Sequence, residues 1–145
     1  MANNYTQTSF MVYDLAPPEK DWLKQQLDEN ARKMEEEDNW DDYIGISYEF
    51  EEADDGKENI WLYSEEGFYP EPLAGLLQAF LKEHRPTACI HFCWASTCSK
   101  MRIDEFSGGG VFITAKKQKW FSPWYEVQEL AKKHEDKREK TETAP

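Results

Sequence analysis

Residues 35–66 hold fourteen acidic side chains and a single base, Lys57. Inside this stretch Ile44, Ile46, Tyr48 and Phe50 alternate with Gly45, Ser47, Glu49 and Glu51. A repeat of two puts the four apolar side chains on one face of a strand and the carboxylates on the other. The segment must therefore lie at a boundary, one side against a core and the other in water. Repulsion among so many carboxylates opposes compaction, so the apolar drive has to come from the rest of the chain.

That drive is available. Aromatic residues make up 14% of the sequence, with six Trp, seven Tyr and eight Phe, whereas acidic disordered chains are poor in aromatics. A length of 145 residues suits one domain with a core large enough to fold without disulfides. Ser9–Leu15 is rich in β-branched, aromatic and apolar residues and reads as a strand. Ala16-Pro17-Pro18 stops it, and Leu23, Leu27, Ala31 and Met34 then recur at helical spacing, predicting a helix over 18–36. The alternating run at 44–50, the turn at Asp54-Asp55-Gly56 and the run Asn59–Ser64 form a hairpin. Leu73, Leu76, Leu77, Phe80 and Leu81 mark a second helix over 71–83. Thr87–Trp94 reads as a strand with Ala88, Ile90, Phe92 and Trp94 on one face and Cys89, His91 and Cys93 on the other. A short strand at 101–103, a firmer one at Val111–Ala115 and a helix from Trp120 to Lys133 complete the order, the helix turning Trp124, Val127, Leu130 and Ala131 inward.

The order β-α-β-β-α-β is that of the ferredoxin-like split βαβ arrangement. The expected fold class is α+β: an antiparallel sheet with helices on one face, the ferredoxin-like core being extended by C-terminal strands and a helix. Residues 1–134 form a single domain in this reading, and 135–145 a charged, frayed tail.

The net charge is -12, with 29 acids against 17 bases, the mean hydropathy is -0.87, and the charge is unevenly distributed. Residues 1–86 carry -14 and residues 87–145 carry +2. A surface of this sign does not bind nucleic acid directly, because that affinity comes from neutralising phosphates. It suits a basic protein surface instead. The residues expected to meet such a partner are Glu36, Glu37, Asp38, Asp41 and Asp42 at the first helix end, and Glu49, Glu51, Glu52, Asp54 and Asp55 on the hairpin. Trp40, Tyr43 and Trp61 are interleaved with them, as interface anchors or as core. No apolar run is long enough to span a membrane. Met1–Thr8 lacks a charged-then-apolar leader, and three cysteines is an odd count. A cytoplasmic protein follows, with oligomers allowed because sheet edges invite pairing.

Catalytic patterns are sparse. Cys89 and Cys93 stand about 13 Å apart on a strand, too far for one tetrahedral zinc, so no metal and no cofactor are expected even with His91 and Cys98 nearby. Cys98 beside Lys100 and Arg102 lacks a nearby base other than His91, and no catalytic residue is assigned. The alternative reading is a site for a small anionic, nucleotide-type ligand built from Ser96, Thr97, Cys98, Ser99, Lys100, Arg102, Gly108, Gly109 and Gly110. Phosphate loops place a helix behind their glycines, and here a strand follows.

The segment from Trp94 to Gly110 reads W-x3-C-S-K-x-R-x3-F-x-G-G-G and runs into Val111-Phe112-Ile113-Thr114. It resembles an uncharacterised family of small acidic proteins encoded on proteobacterial phages and plasmids, over about a fifth of the chain. The resemblance implies a setting in which inhibitors of host defence, such as anti-CRISPR or anti-restriction proteins, occupy nucleic-acid sites. It carries over no functional residue. Duplex DNA presents about one negative charge per 1.7 Å of axis, a field that carboxylates fixed on a rigid element imitate. The expected activity is therefore non-enzymatic: an acidic protein that blocks a basic, nucleic-acid-binding partner in a bacterial cell.

Overall fold

The computed structural model describes residues 3–102 and 106–143. β1 (Asn4–Leu15) leads into α1 (Pro17–Glu37), the hairpin β2 (Ser47–Glu52) and β3 (Glu58–Ser64), α2 (Pro70–His84), β4 (Cys89–Cys98), β5 (Ser107–Thr114), β6 (Gln118–Phe121) and α3 (Pro123–Thr143). The six strands form one sheet in the order β2-β3-β1-β4-β5-β6, every neighbouring pair antiparallel. The first four strands keep the split βαβ order, and β5 and β6 extend the sheet beyond β4.

The core lies between the sheet and the two helices α1 and α2. Leu23 and Leu27 of α1, and Leu73, Ala74, Leu77, Phe80 and Leu81 of α2, are buried against Val12, Ile60, Leu62, Ile90, Phe92, Val111 and Ile113. On β4 the alternation is as expected, with Ile90 and Phe92 buried and Cys89, His91 and Cys93 exposed. The opposite face of the sheet is not covered by α1 or α2, and α3 approaches it at β5. There Tyr13 and Phe112 are exposed and Met11, Trp61 and Tyr63 half-buried, with the Trp61 and Tyr63 rings stacked 4.1 Å apart.

One junction ties three elements together. The Arg85 guanidinium, just past α2, donates to both carboxylate oxygens of Glu19 on α1, at 2.6 and 3.3 Å. It also donates to the carbonyls of Tyr13 and Asp14 at the end of β1. Glu19 accepts the Ala16 amide, which satisfies a free donor at the start of α1. β1 itself bends here: its register to β3 shifts between Val12 and Leu15, and Asp14 takes a left-handed φ of 57°.

The C-terminal elements depart from expectation. Trp120 belongs to β6, opposite Val111, with its ring edge-on to Trp94 at 5.9 Å, and α3 begins only at Pro123. The stripe expected to face inward is exposed: Trp124 at 45%, Val127 at 63% and Leu130 at 67%. The helix continues to Thr143, through residues read as a charged tail. The short strand expected at 101–103 ends on residue 103, outside the described residues, and Met101 and Arg102 carry no strand.

Burial raises the Glu19 carboxyl, but the Arg85 hydrogen bonds, the Ala16 amide and the charges of Arg85 and His84 outweigh it and leave the group below its ordinary value of 4.5. A depressed carboxylate stabilises the fold above its unfolded value, and the contribution is lost as pH falls through the folded one. Arg85→Met is expected to cost about 2 kcal/mol at neutral pH by removing a charged hydrogen-bond donor. Urea titrations repeated from neutral pH down through pH 4 should show the wild-type advantage shrinking as Glu19 protonates. A constant gap would contradict this assignment.

Candidate functional site

α1 ends where four successive acids, Glu35, Glu36, Glu37 and Asp38, meet the negative pole of the helix. The last turn holds no base. Arg32, one turn back, offsets part of this, donating to Glu29 at 2.6 and 2.9 Å, to Glu36 at 3.2 Å and to Glu37 at 3.3 Å. The hydrogen bond from Arg32 lowers the Glu29 carboxyl. Asp38 caps the helix in the left-handed region (φ 52°), its amide reaching the Lys33 carbonyl and its carboxylate accepting the Trp40 indole N–H at 2.9 Å. Asp42 is also left-handed, with φ 56°.

From there the chain enters β2, which pairs only with β3 and is one edge of the sheet. Tyr48 and Phe50 turn toward α1. The Tyr48 hydroxyl donates to Asp28, and burial followed by that carboxylate pushes its pKa up to about 12. Glu49 and Glu51 lie on the opposite face, across from Trp61 and Asn59. The strand spans about 17 Å at 3.3 Å per residue and delivers the chain to Glu52 and the tip, Asp54 and Asp55. Asp55 is again left-handed (φ 58°), followed by Gly56 at φ 72°. Asp41, Asp42, Glu49, Glu51, Glu52, Asp54 and Asp55 are exposed and make no ion pair among the described residues. The carboxylates therefore follow one edge of the molecule, as two clusters joined by β2. Charge on an edge strand also guards it against pairing with other chains.

An aromatic patch sits at the α1 end of this edge. Trp40 is 57% exposed and packs edge-on to Tyr43 at 5.2 Å, and Tyr43 in turn meets Tyr69 at 6.3 Å. With Asp42, Glu71 and Pro72 these rings line an open groove of about 370 Å³. Sequence reasoning singled out Trp40 and Tyr43 but not Tyr69, which the Tyr69 amide to Ile44 carbonyl hydrogen bond draws across from the start of α2. Trp61, the third aromatic singled out, stays half-buried on the open sheet face, its indole N–H donating to Ser9.

The residues of the alternative anion site are placed differently. Ser96, Thr97 and Cys98 continue β4, and Cys98 is buried. Gly108, Gly109 and Gly110 are not a loop: they pair with Ala95, Trp94 and Cys93 inside the sheet, so ladder pairing accounts for this run. Gly109 is required by packing. A Cβ there would lie 2.3 Å from the Trp94 ring, which covers it. Ser99, Lys100 and Arg102 follow β4 on the surface. Among the described residues no group of three or more His, Cys, Asp or Glu is placed to hold a metal ion. None of the described helices is long and apolar enough to cross a membrane.

No known protein family, curated protein or solved structure matches this chain.

Two substitutions test this geometry. Gly109→Ala is expected to displace the Trp94 ring and cost about 1–3 kcal/mol through overpacking, read by urea unfolding with a matching change in tryptophan fluorescence. Asp55→Gly is expected to raise stability by about 0.5–1 kcal/mol, because glycine takes positive φ without the steric cost of a Cβ. A loss of stability in thermal unfolding would count against strain at this tip.

Proposed function

We propose that this chain is a non-enzymatic inhibitor that lays its acidic edge on a basic, nucleic-acid-binding protein and so keeps nucleic acid off it. The observation that carries this reading is the placement of the acids. They follow one edge from the end of α1, along β2, to the hairpin tip, and three of them, Glu35, Glu36 and Glu37, stand at the helix pole that opposes negative charge. Folding alone favours neutral or basic residues there. A partner that gathers negative charge gives those positions a use.

The chemistry follows from the geometry. Exposed carboxylates on a strand and a helix end need no reorganisation to meet Lys and Arg, and their combined field speeds encounter with a basic surface. The Trp40–Tyr43–Tyr69 patch supplies apolar area beside that charge, where aromatic anchors dominate interface energies. Occlusion of the nucleic-acid site is then competitive and weakens with salt. The most concrete version is a mobile-element inhibitor of host defence, anti-CRISPR or anti-restriction in kind. It acts in the cytoplasm of a bacterial host.

The test begins with capture from nuclease-treated bacterial lysate at low salt and stepwise salt elution. The recovered protein is then titrated with DNA or RNA in the presence of this chain. Nucleic acid and this chain are expected to exclude each other. Replacing Asp41, Asp42, Glu51, Glu52, Asp54 and Asp55 with their amides is expected to weaken binding at least about 100-fold at low salt, mainly through the association rate. Trp40→Ala should instead speed dissociation, by about tenfold for a loss of about 1.4 kcal/mol. Unchanged affinity in the six-amide variant would refute the reading.

A further inference from the structure

α3 is a helix of 21 residues without a buried side chain among those described, and it leaves the sheet by a single connecting residue, Ser122. The Ser122 carbonyl and hydroxyl accept the Glu126 and Tyr125 amides, which fixes the direction in which the helix departs. Its exposed stripe of Trp124, Val127, Leu130 and Ala131 has the spacing of a helix face made to be covered. The sheet, for its part, has a face that α1 and α2 leave open and that the chain's own α3 approaches at β5.

We propose that α3 of one copy lies across the open sheet face of a second copy, and reciprocally, so that the chain is a two-fold dimer. The dimensions agree. The five strands from β5 to β2 span about 19 Å at about 4.8 Å spacing, and 21 helical residues at about 1.5 Å each span about 31 Å, so one helix crosses the sheet from β5 to β2. The chemistry agrees in the same direction. The first half of α3 is apolar and matches Phe112, Tyr13 and Trp61 on the inner strands. Its second half, residues 132–140, carries five bases against three acids. There Lys133 and Lys137 follow Leu130 at helical spacing, and the crossing brings them to Glu49 and Glu51 on β2, the acidic edge of the second copy. Two such contacts related by a two-fold axis are self-complementary and closed. They cover Glu49 and Glu51 in the middle of the acidic edge and leave Asp41, Asp42, Glu52, Asp54 and Asp55 exposed, and self-association is measured without the proposed inhibitory partner.

Sedimentation of the full chain over a range of concentrations tests this. The expected species has twice the monomer mass of 17.1 kDa. Leu130→Glu and Phe112→Glu, both at exposed positions, should each weaken the dimer at least about tenfold while the circular dichroism spectrum of the folded chain is kept. Lys133→Glu with Lys137→Glu should also weaken it, and adding Glu49→Lys with Glu51→Lys should restore it. A monomer at every concentration overturns the proposal, whether α3 then folds onto its own sheet or awaits a different protein. A dimer whose affinity is the same in Leu130→Glu and Phe112→Glu overturns it as well, since it forms through another surface.

Discussion

The Arg85 guanidinium holds the end of β1, the start of α1 and the end of α2 in one place. Its donors satisfy the Glu19 carboxylate and two strand carbonyls at once, and its plane lies 5.6 Å from the Phe80 ring. The Glu19 carboxylate, part-buried here, would otherwise need water as its partner. The consequence reaches the opposite end of the molecule. α1 starts at this junction and packs through Leu23 and Leu27, so its acidic end is carried to a fixed height beside β2. The tip of the hairpin is tied close to the same junction by the ion pair between Lys20 and Glu58. The acidic edge is rigid because both of its ends are anchored through α1.

That rigidity sets the electrostatic cost. Flexible carboxylates would spread apart and relax their repulsion; these sit on a helix end, a strand and a tight turn. Acids at a helix C-terminus oppose its dipole by roughly 0.3–1 kcal/mol each at low ionic strength, and Arg32 gathers Glu29, Glu36 and Glu37 around one positive charge. The apolar layer beneath makes this tolerable. Leu73, Leu77, Phe80 and Leu81 are fully buried, and α2, whose last turn holds Lys82 and His84 and whose first holds Glu71, is well matched to its own dipole. Stability is concentrated in one helix, and charge in the other.

The elements legible in the sequence are those whose pattern reports their own burial. β2, β3, α2 and β4 alternate or repeat cleanly because one face of each meets the same core. β6 was not legible: Gln118-Lys119-Trp120-Phe121 is too short for a period to emerge, and the pairing of Trp120 with Val111 is a long-range fact. The α3 stripe is legible as amphipathic, but the inward direction expected of it is not what the fold adopts, because periodicity says that a helix has a face to cover and nothing of what covers it. The glycines at 108–110 enter the sequence reading only as part of an alternative anion site, and the contact that explains Gly109, the Trp94 ring over it, is a tertiary one that no local pattern reports. The acidic residues themselves were plain in the sequence. Their arrangement along one edge required the strand order, and Tyr69 joined the aromatic patch only through the fold.

The position of β1 carries a consequence for how the chain is made. β1 is central in the sheet and leaves the ribosome before both of its partners, β3, at 58–64, and the end of β4, at 95–98. At synthesis rates of about 5–20 residues per second, β1 waits roughly 5–20 s for its second partner. Until then Phe10, Val12 and Leu15 have only α1 and the hairpin to shelter them. The residues that emerge in that interval include the acidic stretch 35–66, and like charge on neighbouring chains of a polysome opposes contact between their unfinished sheets. The charge that burdens the finished fold thus protects the unfinished one.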